Sequence, residues 1–191
     1  GLRFPFQRRR EELVTAKPAF RRAFPVWERN GFSTEAAMDA AHALILGALP
    51  PSVAGGAILD LGCGNGRLLN RAADKGYTRS LGVEVEAIRA LDAEASIRVG
   101  SLFDVTLWDQ EYDVVLLMPG RLVEPGVTAE MAAAVRDALH RRTRQVLLYA
   151  YGDWIQRESL VALSRRAGFI VPDDVVVHTA DNTHALVVTM A

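Results

Sequence analysis

The sequence predicts a single α/β domain built on a mostly parallel β-sheet, with helices on both faces and an antiparallel hairpin at its C-terminal end. Apolar runs alternate with amphipathic segments along most of the chain, which is typical of successive strand–helix–strand units. The last two strand-like runs are separated by only four residues, 180–183. Because a parallel crossover needs about a dozen residues or more, we expect these two runs to pair antiparallel.

Composition limits the class of protein. The chain has 191 residues, of which 50% are hydrophobic, enough for one substantial core. Its 22 basic and 23 acidic residues nearly cancel, so no overall field favours nucleic acid or a charged membrane. One cysteine cannot form an internal disulfide, and with four histidines it cannot build a cysteine-rich zinc site. We therefore expect a cytoplasmic protein with no metal, no membrane partner and no membrane span, since no apolar stretch reaches roughly 18 residues.

The first half of the domain contains three predicted strands. Ala57–Leu61 is a short apolar run that ends in a glycine-rich turn, which indicates a buried strand. A helix is expected over Arg67–Lys75. The second strand is expected at Ser80–Val85, and the third at Ser96–Gly100. The composition of Ala87–Ala95, between those two strands, predicts a helix.

The second half completes the sheet. Tyr112–Met118 is nearly all apolar, as expected for a central strand covered on both faces. The segment 128–143 has apolar residues at helical spacing, with Thr128 as its candidate N-cap. The fifth strand is expected at Gln145–Tyr151, followed by a helix over Arg157–Arg166. The hairpin strands are predicted at 175–179 and 184–190, which brings the number of strands to seven.

About fifty residues precede the first strand. Ser33 could cap a helix from Thr34 to about Leu49, because Pro50 and Pro51 follow it. Residues 1–50 are therefore interpreted as an arm and helix, with Trp27–Ser33 as a candidate substrate lid, and 51–191 as the main domain. Residues 3–22 hold seven basic and two acidic side chains, which form either a solvated arm or a patch that contacts phosphates.

The most informative motif joins the first strand to the helix after it. The run from Leu59 to Gly66 reads LDLGCGNG, and its alternate glycines let the backbone turn tightly and offer amide groups to a ligand. Glu84, twenty-two residues beyond Gly62, stands where dinucleotide-binding folds place the carboxylate that binds ribose hydroxyls. Arg67 occupies the place of the third fingerprint glycine and would obstruct a pyrophosphate. We therefore expect a ligand with a ribose and a base but no phosphates.

Four motifs together resemble the class I S-adenosylmethionine-dependent methyltransferases. They are LDLGCGNG at 59–66, GVEVE at 82–86, VGSLFD at 99–104 and YDVVLLMPG at 112–120. The terminal hairpin is similar to the reversed last strand of that family. The resemblance implies a Rossmann-like seven-stranded sheet and S-adenosyl-L-methionine as the cofactor, with S-adenosyl-L-homocysteine as its product. It also implies transfer of the methyl group to a nitrogen or oxygen atom by in-line displacement.

The resemblance further implies a set of cofactor contacts at the ends of the strands. Asp60 would reach the amino group of the methionine part, and Glu84 would bind the ribose hydroxyls. The other expected contacts are made by the turn residues Gly62, Cys63 and Gly64 around the methionine part, by Val85, Ser101 and Leu102 around the adenine, and by the Met118 carbonyl near the amino group. Many relatives carry an aspartate where Ser101 stands; Asp104 could replace it or could only cap a turn.

The methyl acceptor is expected beyond the carboxyl ends of the fourth and fifth strands. Arg121 is the candidate to bind a carboxylate or phosphate of the acceptor, and Glu124 is the candidate to orient an amine or accept a proton. The alternative is that these two side chains pair with each other. Tyr151 is a third candidate catalytic residue, in a wall that would include Asp153 and Trp154.

The sequence around Met118 narrows the class of acceptor. Many enzymes that methylate planar amino groups carry Asn or Asp, two prolines and an aromatic residue there, whereas this chain has Met-Pro-Gly-Arg at 118–121. We also expect no appended recognition domain. A small-molecule acceptor is therefore favoured and a nucleic-acid partner is not expected. The alternatives are an RNA or protein methyltransferase and a non-catalytic subunit that only binds the cofactor; the oligomeric state is left open.

Overall fold

The computed structural model describes residues 24–52, 55–151 and 158–190. Seven strands form one sheet in the order β3-β2-β1-β4-β5-β7-β6. Their bounds are β1 Ala57–Leu61, β2 Arg79–Glu84, β3 Ile97–Val99, β4 Tyr112–Leu117, β5 Thr143–Tyr151, β6 His178–Ala180 and β7 Thr183–Thr189. Strands β1 to β5 pair in parallel, and β7 runs antiparallel to both β5 and β6. The predicted mostly parallel sheet with a terminal antiparallel hairpin is confirmed.

Helices cover both faces of the sheet. They are α1 Val26–Arg29, α2 Glu35–Ala48, α3 Arg67–Ala72, α4 Ala129–Arg142 and α5 Leu160–Arg166, with 3₁₀ turns at Ala73–Lys75, Val105–Trp108 and Pro119–Leu122. One core cluster packs α4 and α5 against the face of β1 that carries Leu59 and Leu61. The other packs α2 and α3 against the face that carries Ile58. The carboxyl ends of β1, β2 and β4 therefore meet at one edge of a sheet that is buried on both faces.

Side-chain caps fix where the helices begin. Thr34, not Ser33, caps α2, because its hydroxyl accepts a hydrogen bond from the Ala37 backbone N–H at 3.0 Å. Thr128 caps α4 as predicted, accepting from the Met131 backbone N–H at 3.1 Å. Ser159 caps α5, so this helix begins at Leu160, later than the expected Arg157. The first residue of the expected helix lies outside the described residues.

The predicted helix over Ala87–Ala95 is wrong, because the structure has only turns and bends there. Asp92 has a positive φ of 55°, a conformation that a helix does not contain. Long-range contacts hold this segment: the Glu94 backbone N–H donates to the Asn65 carbonyl at 2.8 Å, and the Asp92 carboxylate pairs with Arg29 at 2.7 Å. Tertiary contacts have therefore overridden a weak local helix propensity.

The first hairpin strand is shorter than predicted. Only His178–Ala180 pairs with β7, through a two-residue turn in which Asp181 has a φ of 51°. The valines at 175–177 are not in the strand, because the Val175 backbone N–H bonds to the Pro172 carbonyl in a turn. Arg165 fixes that turn by donating to the Val171 carbonyl at 2.7 Å. The outer edge of β7 therefore has no strand partner beyond Ala185 among the described residues.

Candidate functional site

The glycine-rich loop after β1 is held by its neighbour β2. The backbone N–H groups of Gly62 and Cys63 both donate to the Val83 carbonyl, at 2.8 and 3.2 Å. Gly62 has a φ of 108°, and a Cβ built on it would meet nothing within 4 Å. This backbone therefore faces open space that a ligand can fill, in a conformation that favours glycine.

Glu84 ends β2 beside this loop and is buried, with 4% of its surface exposed. Its Oε1 accepts a hydrogen bond from the Gly64 backbone N–H at 3.0 Å, and its Oε2 accepts one from the Glu86 backbone N–H at 2.9 Å. Two amides from different segments thus fix the carboxylate. Each carboxylate oxygen can accept a second hydrogen bond, which suits the two hydroxyls of a ribose.

Asp60, near the end of β1, supplies a second buried carboxylate with 2% exposure. Burial, and then the negative charge of Glu84, raise the pKa of Asp60 to about 7. The Tyr149 hydroxyl donates a long hydrogen bond of 3.5 Å to its Oδ1. Among the described residues neither Asp60 nor Glu84 takes part in an ion pair. Two buried carboxyl groups on adjacent strands, hydrogen-bonded but without an ion-pair partner among the described residues, favour a cationic ligand.

The residues predicted to surround the adenine lie at the ends of β2 and β3. The Gly100 backbone N–H donates to the Glu84 carbonyl at 2.9 Å, which joins the two strand ends. Val85 is unusual for a large apolar residue in being 62% exposed. Ser101 and Leu102 directly follow Gly100; Ser101 is exposed and Leu102 is half-buried. The edge of the sheet therefore carries an apolar surface next to the Glu84 carboxylate.

Asp104 caps a turn. Its Oδ1 accepts hydrogen bonds from the Thr106 hydroxyl at 2.6 Å and the Thr106 backbone N–H at 3.2 Å. These bonds fix the start of the 3₁₀ turn at Val105–Trp108. The structure therefore shows the capping role of Asp104, and its contact with an adenine stays a prediction.

Cys63 is a packing residue of the loop. Its side chain is buried, and burial raises the pKa of the Cys63 thiol. The thiol lies directly against Gly82 on β2, where a Cβ would collide with it. A protonated thiol that fills a gap between two strands has no nucleophilic character.

On the acceptor side a small pocket lies beyond β4 and β5. It is half open to solvent and has a cavity volume of about 40 Å³. It is lined by Met118, Gly120, Arg121, Glu124, Tyr149, Ala150, Tyr151 and Leu163. Arg121 Nη1 pairs with Glu124 Oε1 at 3.0 Å. The three candidate catalytic residues therefore meet in one pocket, and the expected alternative, that Arg121 and Glu124 pair with each other, also holds.

Aromatic side chains form the inner wall of this pocket. Tyr149 and Tyr151 stack at 5.9 Å between ring centroids, and Phe32 stacks on Tyr151 at 4.7 Å. Burial raises the pKa of Tyr151 to about 12 and also raises that of Tyr149. Both hydroxyls are therefore protonated at neutral pH and can donate hydrogen bonds, but neither serves as a base. Asp153 and Trp154, expected in the same wall, lie outside the described residues.

The segment before α2 crosses the glycine loop. Asn30 Nδ2 donates to Asn65 Oδ1 at 3.0 Å, and the Asn65 backbone N–H donates to Asn30 Oδ1 at 3.2 Å. Asn30 also lies where a Cβ on Gly64 would be. Sequence reasoning did not identify Asn30, Asn65 or Phe32 as site residues, because no motif or spacing marks a contact across 35 residues of chain. Whether Trp27–Ser33 is a lid stays a prediction, as do the individual ligand contacts.

Metal-binding side chains do not gather in the described parts of the chain, where no group of three His, Cys, Asp or Glu residues has the geometry to hold an ion. Within the same residues no helix is long and apolar enough to cross a membrane. The basic arm at 3–22 lies outside these residues.

Comparison with known proteins identifies the fold. No protein-family model and no curated protein sequence matches the chain significantly. Solved structures do match. The N-methyltransferase NodS from Bradyrhizobium japonicum WM9, in complex with S-adenosyl-L-homocysteine, is 12% identical over 97% of each chain, with a TM-score of 0.63.

Two further structures show how broadly this fold is used. The magnesium protoporphyrin IX methyltransferase ChlM from Synechocystis PCC 6803, with bound S-adenosylmethionine, is 13% identical over 100% of this chain and 99% of its own, with a TM-score of 0.57. The [4+2]-cyclase SpnF is 18% identical over 75% of this chain and 62% of its own, with a TM-score of 0.53. The chain therefore has the Rossmann-like fold of the class I methyltransferases, a fold that also carries other chemistry.

Proposed function

We propose that the protein is an S-adenosylmethionine-dependent methyltransferase that acts on a small molecule. The observation that carries this proposal is the Glu84 carboxylate, fixed by two backbone amides beside the open face of Gly62. The fold that it shares with NodS and ChlM, which were crystallised with S-adenosylhomocysteine and S-adenosylmethionine, supports the same cofactor.

The residues present fit this cofactor. Glu84 offers two acceptor oxygens to the ribose hydroxyls, and Asp60 offers a carboxylate to the positively charged amino group. The exposed Val85 offers an apolar surface to a base, and the open space at Gly62 leaves room for the methionine part. When bound, this cofactor supplies a methyl group on a sulfonium, which an acceptor lone pair takes while the S–C bonding electrons stay on sulfur.

The chain's own contribution to the reaction is position and exclusion of water. Tyr151 is protonated and gives the wall a hydrogen-bond donor that can orient an acceptor, whereas the Tyr149 hydroxyl donates to Asp60. Glu124 is the only carboxylate that lines the described pocket, so it is the group that would take a proton from a hydroxyl acceptor. An amine acceptor can lose its proton to water after transfer. Positioning alone can lower the barrier by about 7 to 11 kcal/mol in the best intramolecular models.

A small acceptor is proposed because the pocket is compact. This half-open cavity has a volume of about 40 Å³, against roughly 300 Å³ or more for sites that hold a drug-sized ligand. RNA and protein acceptors, and a role as a non-catalytic subunit that binds the cofactor, are the alternatives.

The test combines binding with turnover. S-adenosylhomocysteine is titrated into the full chain by calorimetry, and S-adenosylhomocysteine release from S-adenosylmethionine is then measured with pools of metabolites, peptides and RNA. We expect saturable binding and release with the metabolite pool. Absence of binding would refute the cofactor assignment. Binding without release from any pool would favour the non-catalytic subunit, and release with only RNA or peptide would refute the small-molecule acceptor.

A further inference from the structure

We infer that Arg121 recognises a carboxylate on the methyl acceptor, so that the acceptors are compact acids with a flat ring. This inference rests on the proposed function and adds the class of substrate to it. It depends on three features of the pocket: an incompletely used guanidinium, a partner carboxylate that can leave it, and an aromatic and apolar wall.

The guanidinium of Arg121 is only partly used inside the protein. Among the residues that the structure describes, it makes a single hydrogen bond, from Nη1 to Glu124 Oε1. The ion pair between Arg166 and Glu158 provides a comparison, because Arg166 makes three hydrogen bonds of 2.7 to 3.1 Å that involve both carboxylate oxygens of Glu158. Arg121 therefore keeps free donors for a carboxylate that approaches the edge of its fork, the geometry in which arginine binds most strongly.

Glu124 is a partner that can be displaced. It follows Arg121 by three residues, and its side chain is 32% exposed against 25% for Arg121. A ligand carboxylate bound in the pocket can form an ion pair with Arg121 in place of Glu124. The Glu124 side chain then rotates into solvent, where its charge is solvated. Partly exposed pairs of this kind contribute little net free energy, so breaking one is inexpensive.

The pocket offers a cationic acceptor no binding arrangement as favourable as the one that Arg121 offers a carboxylate. Such an acceptor would have to pair with Glu124 and leave the Arg121 charge unpaired next to the buried ring of Tyr149 and the half-buried ring of Tyr151. It would also approach the positively charged sulfonium of the proposed cofactor, and like charges that are close repel each other. Both effects favour an anionic acceptor over a cationic one.

The remaining wall selects for a flat apolar body. Met118, Ala150 and Leu163 give it aliphatic surface, and the stacked rings of Tyr149 and Tyr151 give it an aromatic face. Aromatic rings pack well against such faces in offset or edge-on arrangements. A ring that carries a carboxylate satisfies the wall and Arg121 together.

The test uses binding of simple aromatic probes to the full chain saturated with S-adenosylhomocysteine. Benzoate, benzamide and benzylamine have similar rings and differ in charge, so calorimetric titration of each isolates the contribution of the carboxylate. We expect benzoate to bind at least about tenfold more tightly than either of the others, as for a hydrogen-bonded charged group.

Two variants give opposite expected results. Arg121→Gln should abolish the preference for benzoate, whereas Glu124→Gln should strengthen benzoate binding, because it removes the competing carboxylate. Benzylamine preferred by the wild type, or Glu124→Gln weakening benzoate as much as Arg121→Gln does, would overturn the inference. The S-adenosylhomocysteine titration distinguishes failure of this inference from failure of the proposed function. If the wild type does not bind S-adenosylhomocysteine, the proposed function is refuted. If it binds S-adenosylhomocysteine but shows no preference for benzoate, only the proposed class of acceptor is refuted.

Discussion

Asn30 and Asn65 pair side by side across the glycine loop, through one hydrogen bond between side chains at 3.0 Å and one from the Asn65 backbone to Asn30 at 3.2 Å. Asn65 is only 1% exposed. Its amide Nδ2 is also bound, to Glu94 Oε2 at 2.9 Å. One buried asparagine therefore ties the segment before α2, the glycine loop and the turn before β3 into a single unit at the candidate cofactor site.

Replacing Asn30 should loosen this unit. Asn30→Ala removes the acceptor of the Asn65 backbone N–H and should lower the free energy of unfolding by about 1 to 3 kcal/mol, the cost of leaving a buried donor unpaired. Urea unfolding measures the loss, and hydrogen exchange at the Asn65 amide should become faster. The matched control is Asn70→Ala, an exposed asparagine on α3, which should change stability by less than about 0.5 kcal/mol. Equal stability of the two variants would contradict the role of the pair.

Alanine variants of two glycines can distinguish the effect of backbone strain from the effect of a lost ligand contact. Gly62 and Gly126 have φ values of 108° and 89°, and a Cβ on either meets nothing within 4 Å. Gly62→Ala and Gly126→Ala should therefore destabilise the chain similarly, by roughly 1 to 2 kcal/mol. Only Gly62→Ala should also weaken S-adenosylhomocysteine binding in calorimetry, because its methyl group would occupy the proposed ligand space. Comparable affinities in both variants would show that the ligand does not approach Gly62.

Removing the Glu84 carboxylate should weaken binding directly. Glu84→Ala should cost about 1.5 to 3 kcal/mol of S-adenosylhomocysteine affinity, the range for hydrogen bonds to a charged group. Glu111→Ala, at an exposed position before β4, is the control and should bind normally. Because Glu84 also accepts from two amides, the fold of each variant is checked by circular dichroism. Unchanged affinity in a folded Glu84→Ala variant would remove Glu84 from the ribose role.

The raised pKa of Asp60 gives stability a defined pH dependence. Its value of about 7 exceeds the ordinary 3.8, so between these values the folded chain holds a proton that the unfolded chain has lost. This contribution is complete below about pH 4 and disappears as the pH rises through 7. Asp60→Asn should therefore be more stable than the wild type at pH 8, by up to about 4 kcal/mol, and nearly equal to it at pH 4. Urea unfolding at both pH values measures this, and an equal difference at the two would refute the buried ionisation.

Local signals predicted most of the fold and part of the site. The bounds of β1 and the cap at Thr128 agree with the sequence because an apolar run and a hydroxyl N-cap act within a few residues. The glycine turn and Glu84 were found because their spacing follows from two adjacent parallel strands. The roles assigned to them as ligand contacts remain predictions.

The failures have a common physical cause. The segment Ala87–Ala95 has helical composition, yet Asp92 and Glu94 are held by Arg29 and Asn65, which no local pattern reveals. The valines at 175–177 have strong strand propensity, but the turn from Pro172 to Val175, which Arg165 braces, keeps them out of the strand. The aromatic contact of Phe32 with Tyr151 joins residues more than a hundred positions apart. Each of these three features depends on contacts between distant residues that form only when the chain folds.

The contact of Cys63 with Gly82 links the side-chain size at a position of the glycine-rich loop to that at a position of β2. Any side chain at position 82 would overlap with the Cys63 thiol. The space between the loop and β2 therefore has room for one small side chain, from either position 63 or position 82. Enlarging position 82 should be tolerated only when position 63 also shrinks to glycine. We therefore expect the two positions to mutate in compensating pairs, and a combinatorial library over both should yield folded members mainly where the total volume is conserved.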